Sequence, residues 1–328
     1  MKFLYFFPVF ATAAFAFSQI EAQEPYATAK PVPDYIRYQK ATAKGQPDAL
    51  ETAVSRFQKG DHTVDLISVV HLGDAAYFKK LKDSLKAYDA VFYEMVGGPY
   101  TEEKARLAKE QQGEGDMAQV QQLQKLATSL LGLEFQLEGL DYLAPNFVHA
   151  DMTAEEFAEH TDGSHGISEL LSSALKIAQS GKIRGLPSSE GDANQLMSQL
   201  MSSVLTGNSN QLKRTLGPIL AEAELFITEM EEEEGTVLIS RRNEIVIEKM
   251  NEYLATRDAG AKTDAILYGA GHMPDLESRL IAEGYVKAAT NWEPGWLIAE
   301  GANRNEEAPS LDQMLQQIGG LMEMLNGQ

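Results

Sequence analysis

Two histidines stand where short β-type stretches give way to helical ones, in the segments SVVHLGD and LYGAGHMPD. His71 follows the first stretch, and His272 follows the second. If both stretches are strands of one parallel sheet, the histidines lie at its carboxyl edge, where α/β proteins build ligand sites. Two neutral imidazoles there can bind one metal ion, which lowers the pKa of a bound water and makes it a nucleophile. Each histidine taken alone also has a structural or surface interpretation.

An acidic residue and a His–Asp pair are further candidates. Glu94 closes the apolar stretch AVFYE. Because a carboxylate is costly to bury unpaired, we interpret Glu94 as a metal ligand or general base, the alternative being that it emerges into solvent. His149 and Asp151 alternate in an extended segment, so both point to one side and can share a metal ion or bond each other. The alternative, which explains this segment equally well, is that His149 lies in a loop and Asp151 lies near a helix cap.

The segment LISRRNEIVIEKMNEY predicts an amphipathic helix with a polar residue on its apolar stripe. Val246 and Met250 mark the stripe. Asn243 falls on it, and Arg242 lies at its edge. A buried Asn needs hydrogen-bond partners, and an Arg-Asn pair can orient a carboxylate or stabilise an oxyanion. The alternative is an Asn that satisfies a nearby loop backbone.

Several other classes of site are excluded by what the sequence lacks. The chain has no cysteine, which excludes disulfides, zinc-thiolate sites and a cysteine nucleophile. It has no G-x-S-x-G elbow and no H-E-x-x-H, so serine hydrolases and ordinary zincins have no support. No P-loop or Rossmann glycine pattern follows a strand. His62, His160 and His165 stand in turns or loops and are not candidates.

The elements that must position these residues occur in two similar units. Residues 64–95 predict a strand, a turn, a helix and a second strand. Residues 263–294 repeat that order, with a histidine at the same turn. Residues 49–57 and 62–72 predict a hairpin, and residues 134–142 predict a further strand.

Between the two units the periodicity is mostly helical. Thr153 and Glu156 form a capping box, so a helix should begin near Ala154. We therefore predict an α/β fold with a mixed sheet, built from two related strand–helix–strand units, with a large helical insertion at about 153–260.

The charge of the chain limits its partners. The formal net charge of the 328 residues is −20, with 44% hydrophobic and 23% charged residues. Nucleic-acid phosphates and anionic lipid surfaces both need a basic face, so neither is expected as a partner. A peptide or small-molecule substrate is the remaining expectation.

The two ends of the chain carry separate predictions. Residues 1–22 have Lys2 followed by an apolar run to Phe17, which predicts a cleaved signal peptide and a periplasmic or secreted protein. The run is short for a membrane span of ~20 residues, and an uncleaved anchor is the alternative. Residues 23–48 predict a flexible lead-in. Residues 301–328 predict an amphipathic helix that packs on its own body or joins a homo-oligomer.

Together, these residues resemble the TraB/PrgY/GumN superfamily, which includes the Tiki proteases and is related to the erythromycin esterases. That family carries two G-x-x-H motifs, an acidic residue after the first, and an Arg-Asn pair on a helix between them. Here the second motif is Gly269-Ala270-Gly271-His272, the acidic residue is Glu94, and the pair is Arg242-Asn243. In the first motif, SVVH puts Ser68 where glycine is expected. The resemblance covers about residues 50–300, which we assign as one domain from 49 to 300.

The resemblance implies a metal-dependent hydrolase, with proteolysis in Tiki-type members and manganese or cobalt as the ion. His71 and His272 would bind the ion, and Glu94 would be a ligand or base. Arg242 and Asn243 would hold a substrate carbonyl or carboxylate. The family also includes pheromone-binding and shutdown factors. A non-catalytic protein that binds a peptide or other ligand in the same crevice is therefore the alternative.

Overall fold

The structure is a computed structural model, and it describes residues 35–110, 126–160, 190–222, 239–257 and 262–303. The predicted signal peptide and residues 304–328 of the predicted C-terminal helix lie outside the described residues. No helix within the described part of the chain is long and apolar enough to cross a membrane.

A mixed sheet forms the centre of the fold, which confirms the α/β prediction. Its strands run in the order β1-β2-β3-β8-β5-β7, and β9 pairs with β2 outside this path. A separate pair, β4 and β6, lies apart from it. The strands are β1 (Ile36–Gln39), β2 (Asp48–Lys59), β3 (His62–Val69), β4 (Leu72–Gly73), β5 (Ala90–Tyr93), β6 (Glu134–Phe135), β7 (Phe147–His149), β8 (Lys262–Gly269) and β9 (Val286–Ile298).

The predicted hairpin is present. β2 and β3 are antiparallel, and Lys59 faces His62 across a two-residue turn. Gly60 in that turn has φ 57°, a left-handed conformation that glycine adopts at little cost. The hairpin places β3 next to the parallel part of the sheet.

The strand order in the parallel part of the sheet does not follow from the local pattern of the sequence. β3 and β5 run in the same direction, as their connection through a helix predicts, but they are not neighbours. β8 lies between them and pairs in parallel with both. β7 extends the parallel part beyond β5. β8, which comes last in the chain among these parallel strands, therefore brings its carboxyl end between those of β3 and β5.

Helices cover both faces of the sheet. The helix Ala75–Leu85 buries Phe78 and Leu81 with Ile67 on one face. The helices Ser240–Ala255 and Met273–Ala282 pack on the other face around Tyr268. The remaining helices are Glu102–Glu110, Gln136–Gly139, Ala154–His160, Glu190–Thr206 and Ser209–Leu220. The described residues between 153 and 260 thus lie mainly in helices.

The capping box at the start of the helix Ala154–His160 is confirmed. The Thr153 amide donates to the Glu156 carboxylate at 2.8 Å, and the Glu156 amide donates to the Thr153 hydroxyl at 3.1 Å. Two amide groups that the first helical turn leaves without a helical partner are satisfied in this way.

Two local predictions are corrected. Within the expected flexible lead-in, Ile36–Gln39 form β1, because Tyr35 and Ile36 are buried and the strand pairs with β2. The expected strand at 134–142 is only two residues long, β6. From Gln136 the chain turns into a short helix, where Gly139 lies so close to Phe78 that a Cβ would be 2.6 Å from its ring. Packing against Phe78 overrides the alternating pattern there.

Candidate functional site

Three of the predicted site residues follow neighbouring strand ends. His71 lies two residues beyond β3, Glu94 directly follows β5, and His272 ends a single 3-10 turn after β8. Nε2 of His272 lies 3.5 Å from Oε1 of Glu94. Because β8 separates β3 from β5, the end of β8 at Gly269 lies between His71 and Glu94.

Glu94 is the carboxylate at the centre of this cluster. Its Oε1 accepts a hydrogen bond from Arg242 at 2.7 Å, and its Oε2 accepts one from the Gly269 amide at 2.7 Å. Burial alone would raise the pKa of Glu94, but the positive charge of Arg242, the largest opposing cause, holds that pKa well below its usual value. Glu94 is therefore ionised, and its carboxylate can bind a cation.

Arg242 joins the two carboxylates of the site. It is 2% exposed and donates through Nε and an Nη to both oxygens of Asp151, at 2.9 and 2.7 Å. The second Nη lies 3.3 Å from Nε2 of His272. Burial alone would lower the pKa of Arg242, but the carboxylates of Asp151 and Glu94 raise it above its usual value. The guanidinium is thus a fixed positive charge with defined neighbours inside the cluster.

Asn243 holds His272 in one orientation. Its Nδ2 donates to the His272 carbonyl at 3.0 Å and to Oδ2 of Asp275 at 2.8 Å, and both partners are acceptors only. Its Oδ1 therefore faces Nδ1 of His272 at 2.7 Å, and Nδ1 must carry the hydrogen of that bond. The Arg242 Nη that lies 3.3 Å from Nε2 can only donate, so Nε2 presents its lone pair to that group, on the side that faces Glu94.

His71 approaches Glu94 from the other side of Gly269. A Cβ built on Gly269 would lie 3.4 Å from Oε2 of Glu94 and 3.8 Å from Nε2 of His71. Loss of solvation lowers the pKa of His71, so the ring is neutral at neutral pH. The missing side chain at Gly269 leaves a small space between these two groups.

The predicted His149–Asp151 pair is not brought together at this cluster. His149 donates from Nε2 to the Met95 carbonyl at 2.7 Å and stacks edge-on against Tyr93. Asp151 instead binds Arg242 with both carboxylate oxygens. β7 ends at His149, so the side chains no longer alternate in direction beyond that residue. His149 and Asp151 therefore face different partners, which corrects the prediction that they share one.

Arg242 and Asn243 make their contacts with other residues of the cluster. Both were expected to hold a substrate carbonyl or carboxylate. Arg242 instead contacts Asp151, Glu94 and His272, and the Asn243 amide contacts His272 and Asp275. Both residues therefore position the acid and the imidazole of the cluster.

The donor types in the cluster suit a divalent metal ion. Imidazole nitrogens and carboxylate oxygens bind first-row transition ions, and anchored Nδ1 atoms are typical of metal-binding histidines. The carboxylates of Glu94 and Asp151 outweigh the guanidinium of Arg242 by one negative charge. The space beside Gly269 is bounded by Nε2 of His71 and Oε2 of Glu94. The groups that bound this space are therefore of types that bind a divalent cation.

The His272 side of Glu94 differs. There the guanidinium of Arg242 lies against both Oε1 of Glu94 and Nε2 of His272. Among the described residues, no group of three His, Cys, Asp or Glu side chains is placed to hold a metal ion together. Arg242 thus supplies a positive charge on one side of Glu94, and the available space lies on the other.

Sequence reasoning missed two residues of the cluster, one that contacts Asn243 and one that contacts His71. Asp275 accepts from Asn243 in the first turn of the helix after His272, a position that the helical pattern could have revealed. Gln136 lies 2.9 Å from Nδ1 of His71, and it stood inside a segment predicted to be a strand. No local pattern connects Gln136 to His71.

Comparison of the chain with protein-family models, with curated proteins and with solved structures found no match in any of the three. The candidate site therefore stands on its geometry and on the sequence motifs.

Proposed function

We propose that the chain is a member of the TraB/PrgY/GumN superfamily and a metal-dependent hydrolase that cleaves peptides. The observation that carries this proposal is the arrangement around Glu94. One carboxylate at the carboxyl edge of a parallel sheet is flanked by two imidazoles, an arginine and a glycine-lined space.

In this proposal His71, Glu94 and, once the guanidinium of Arg242 has moved off its Nε2, His272 would hold the ion, whose contribution would be to lower the pKa of a bound water. Arg242 keeps Glu94 ionised and fixes its orientation. Asn243 keeps the hydrogen of His272 on Nδ1, so that the Nε2 lone pair faces the site. Gly269 leaves room for the reacting group beside Glu94.

The proposal includes a relation between two parts of the sheet. We infer two related units, β3–helix–β5 and β8–helix–β9, because each carries a histidine after its first strand. The second unit ends differently, since β9 pairs with β2. We also propose a signal peptide at residues 1–22 and a periplasmic or secreted location. The proposed homo-oligomer forms through residues 301–328.

Metal analysis followed by a peptide-library digest tests the proposal. We expect the purified protein to contain manganese or cobalt in a fixed ratio to the chain, and to cleave peptides. A chelator should stop cleavage, and adding Mn²⁺ or Co²⁺ back should restore it. Glu94→Gln, which keeps the shape of the side chain, should abolish cleavage. Cleavage that survives both the chelator and Glu94→Gln would rule out the mechanism.

A second candidate is a protein that binds a peptide or small ligand in the same crevice without turnover. Ser68 favours it, because it replaces a glycine of the first motif. Its buried hydroxyl has no hydrogen-bond partner among the described residues, whereas buried hydroxyls are normally paired. Saturable binding of library peptides with no cleavage, in protein loaded with metal, would favour this candidate.

A further inference from the structure

Gln136 clamps His71 through both its backbone and its side chain. Its amide N–H donates to the His71 carbonyl at 2.8 Å, and its Oε1 lies 2.9 Å from Nδ1 of the same residue. Gln136 is 5% exposed and begins the short helix Gln136–Gly139. Two contacts to one residue fix the ring relative to its own backbone.

Tyr142 sets the orientation of the Gln136 side chain. Nε2 of Gln136 donates to the Tyr142 hydroxyl at 2.7 Å, and this leaves Oε1 directed at His71. The phenol ring is held among Tyr93, Tyr100 and Phe147, with ring centroids 5.2 to 5.7 Å away. Tyr142 is 4% exposed, so its hydroxyl has a fixed position.

The contacts of the second histidine have the same form. Asn243 presents its Oδ1 to Nδ1 of His272, and its own Nδ2 is fixed by two acceptors. At both histidines a buried side-chain amide therefore faces Nδ1, and Nε2 is the nitrogen that remains on the side of Glu94. The two amides come from unrelated parts of the chain.

We propose that Gln136, oriented by Tyr142, is a positioning residue that keeps the hydrogen of His71 on Nδ1 and directs the Nε2 lone pair at the space beside Gly269. This inference rests on the proposed function for its consequence, because only an unprotonated Nε2 can bind a metal ion or accept a proton. The hydrogen position itself does not depend on that function. With the opposite amide orientation, Gln136 would donate to Nδ1, and the hydrogen would sit on Nε2.

Nitrogen NMR of protein labelled with [¹⁵N]histidine measures the hydrogen position directly. Couplings between the ring nitrogens and the carbon-bound protons show which nitrogen is protonated, and the His71 signals are those absent from His71→Asn. In the unsubstituted protein we expect His71 to carry its hydrogen on Nδ1. Gln136→Met keeps the size and the backbone contact but removes the acceptor, so a mixture of both tautomers should appear. Tyr142→Phe should also weaken the preference for Nδ1.

Gln39→Met is the matched control. Gln39 is exposed, and its side chain bonds the neighbouring Lys40 carbonyl, so the His71 signals should not change. A hydrogen on Nε2 in the unsubstituted protein, or an unchanged Nδ1 hydrogen in Gln136→Met, would overturn the proposal.

Turnover and metal affinity give the second readout. Loss of such an outer partner typically costs about 10- to 100-fold in metal affinity or activity, and we expect Gln136→Met to fall in that range. Gln39→Met should match the unsubstituted protein. If no peptide is cleaved by any variant while the NMR result holds, the proposed function fails and the positioning role stands. If cleavage is normal in Gln136→Met although its tautomer has changed, the positioning role fails.

Discussion

Arg242 donates a hydrogen bond of 2.7 Å to Glu94, which lies 148 positions earlier in the chain. The same guanidinium binds both oxygens of Asp151. One buried cation therefore pairs with a carboxylate that directly follows β5 and with another that lies two residues beyond β7. The cluster depends on this contact, because without Arg242 both carboxylates would be buried without a fixed counter-charge.

The first prediction compares two adjacent arginines. Arg242→Met should lower the free energy of unfolding by about 3–5 kcal/mol, because it leaves Glu94 and Asp151 as uncompensated buried charges. Arg241→Met is the control, since Arg241 forms partly exposed pairs with Glu244 and Glu248. Arg241→Met should lower the free energy of unfolding by less than about 1 kcal/mol. Urea unfolding of both variants gives the comparison, and equal losses would contradict the central role of Arg242.

The second prediction concerns the space beside Gly269. Gly269 has φ −57° and ψ 149°, which alanine adopts without strain. The methyl group of Gly269→Ala would meet Oε2 of Glu94 at 3.4 Å and Nε2 of His71 at 3.8 Å. We expect hydrolysis and metal uptake to fall at least about tenfold, as for other changes that touch a metal site, with an unchanged thermal midpoint. Full activity in this variant would show that the reaction does not use the space beside Gly269.

The third prediction separates the histidines of the chain. His71→Ala and His272→Ala should each abolish metal binding and peptide cleavage, because each removes an Nε2 directed at the site. His149→Ala should retain both, since Nε2 of His149 bonds the Met95 carbonyl. Metal content and cleavage rates of the three variants decide it. A loss in His149→Ala as large as in His71→Ala would return His149 to the site.

The fourth prediction is a pH dependence at the opposite edge of the sheet. Asp264 bonds His62 and Arg257. Burial alone would raise its pKa, but these two partners lower it below the usual value. A lowered carboxyl pKa stabilises the fold above the unfolded-state value of about 3.9, and that contribution is lost as the pH falls through the folded-state pKa.

Asp264→Asn should therefore be less stable than the unsubstituted protein near neutral pH, by about 3 kcal/mol, since it breaks a buried ion pair. The difference should narrow as the pH falls below about 3.9. Unfolding by urea over a pH series measures it. Asp141→Asn, at a half-exposed residue, is the control and should change the free energy by less than about 0.5 kcal/mol. A difference in the free energy of unfolding that stays constant with pH would contradict this role of the Asp264 carboxylate.

Local features of the sequence predicted local features of the structure. Residues close together in the sequence predicted three features: the hairpin of β2 and β3, the capping box at Thr153 and the burial of Asn243. Spacing of this kind suffices because caps and helical stripes are decided by residues three or four positions apart. The same reasoning failed at Ile36 and Gln136, where contacts with distant residues override the local pattern.

The tertiary structure alone decided which side chains meet. The insertion of β8 between β3 and β5 brings Gly269 beside His71 and Glu94. Strand order also decides that Asp151 meets Arg242 and that His149 does not. The sequence determined the candidate residues and the elements that carry them, because these depend on nearby neighbours. Their hydrogen-bond partners depend on contacts between segments far apart in the chain, and no periodicity in one sequence encodes these contacts.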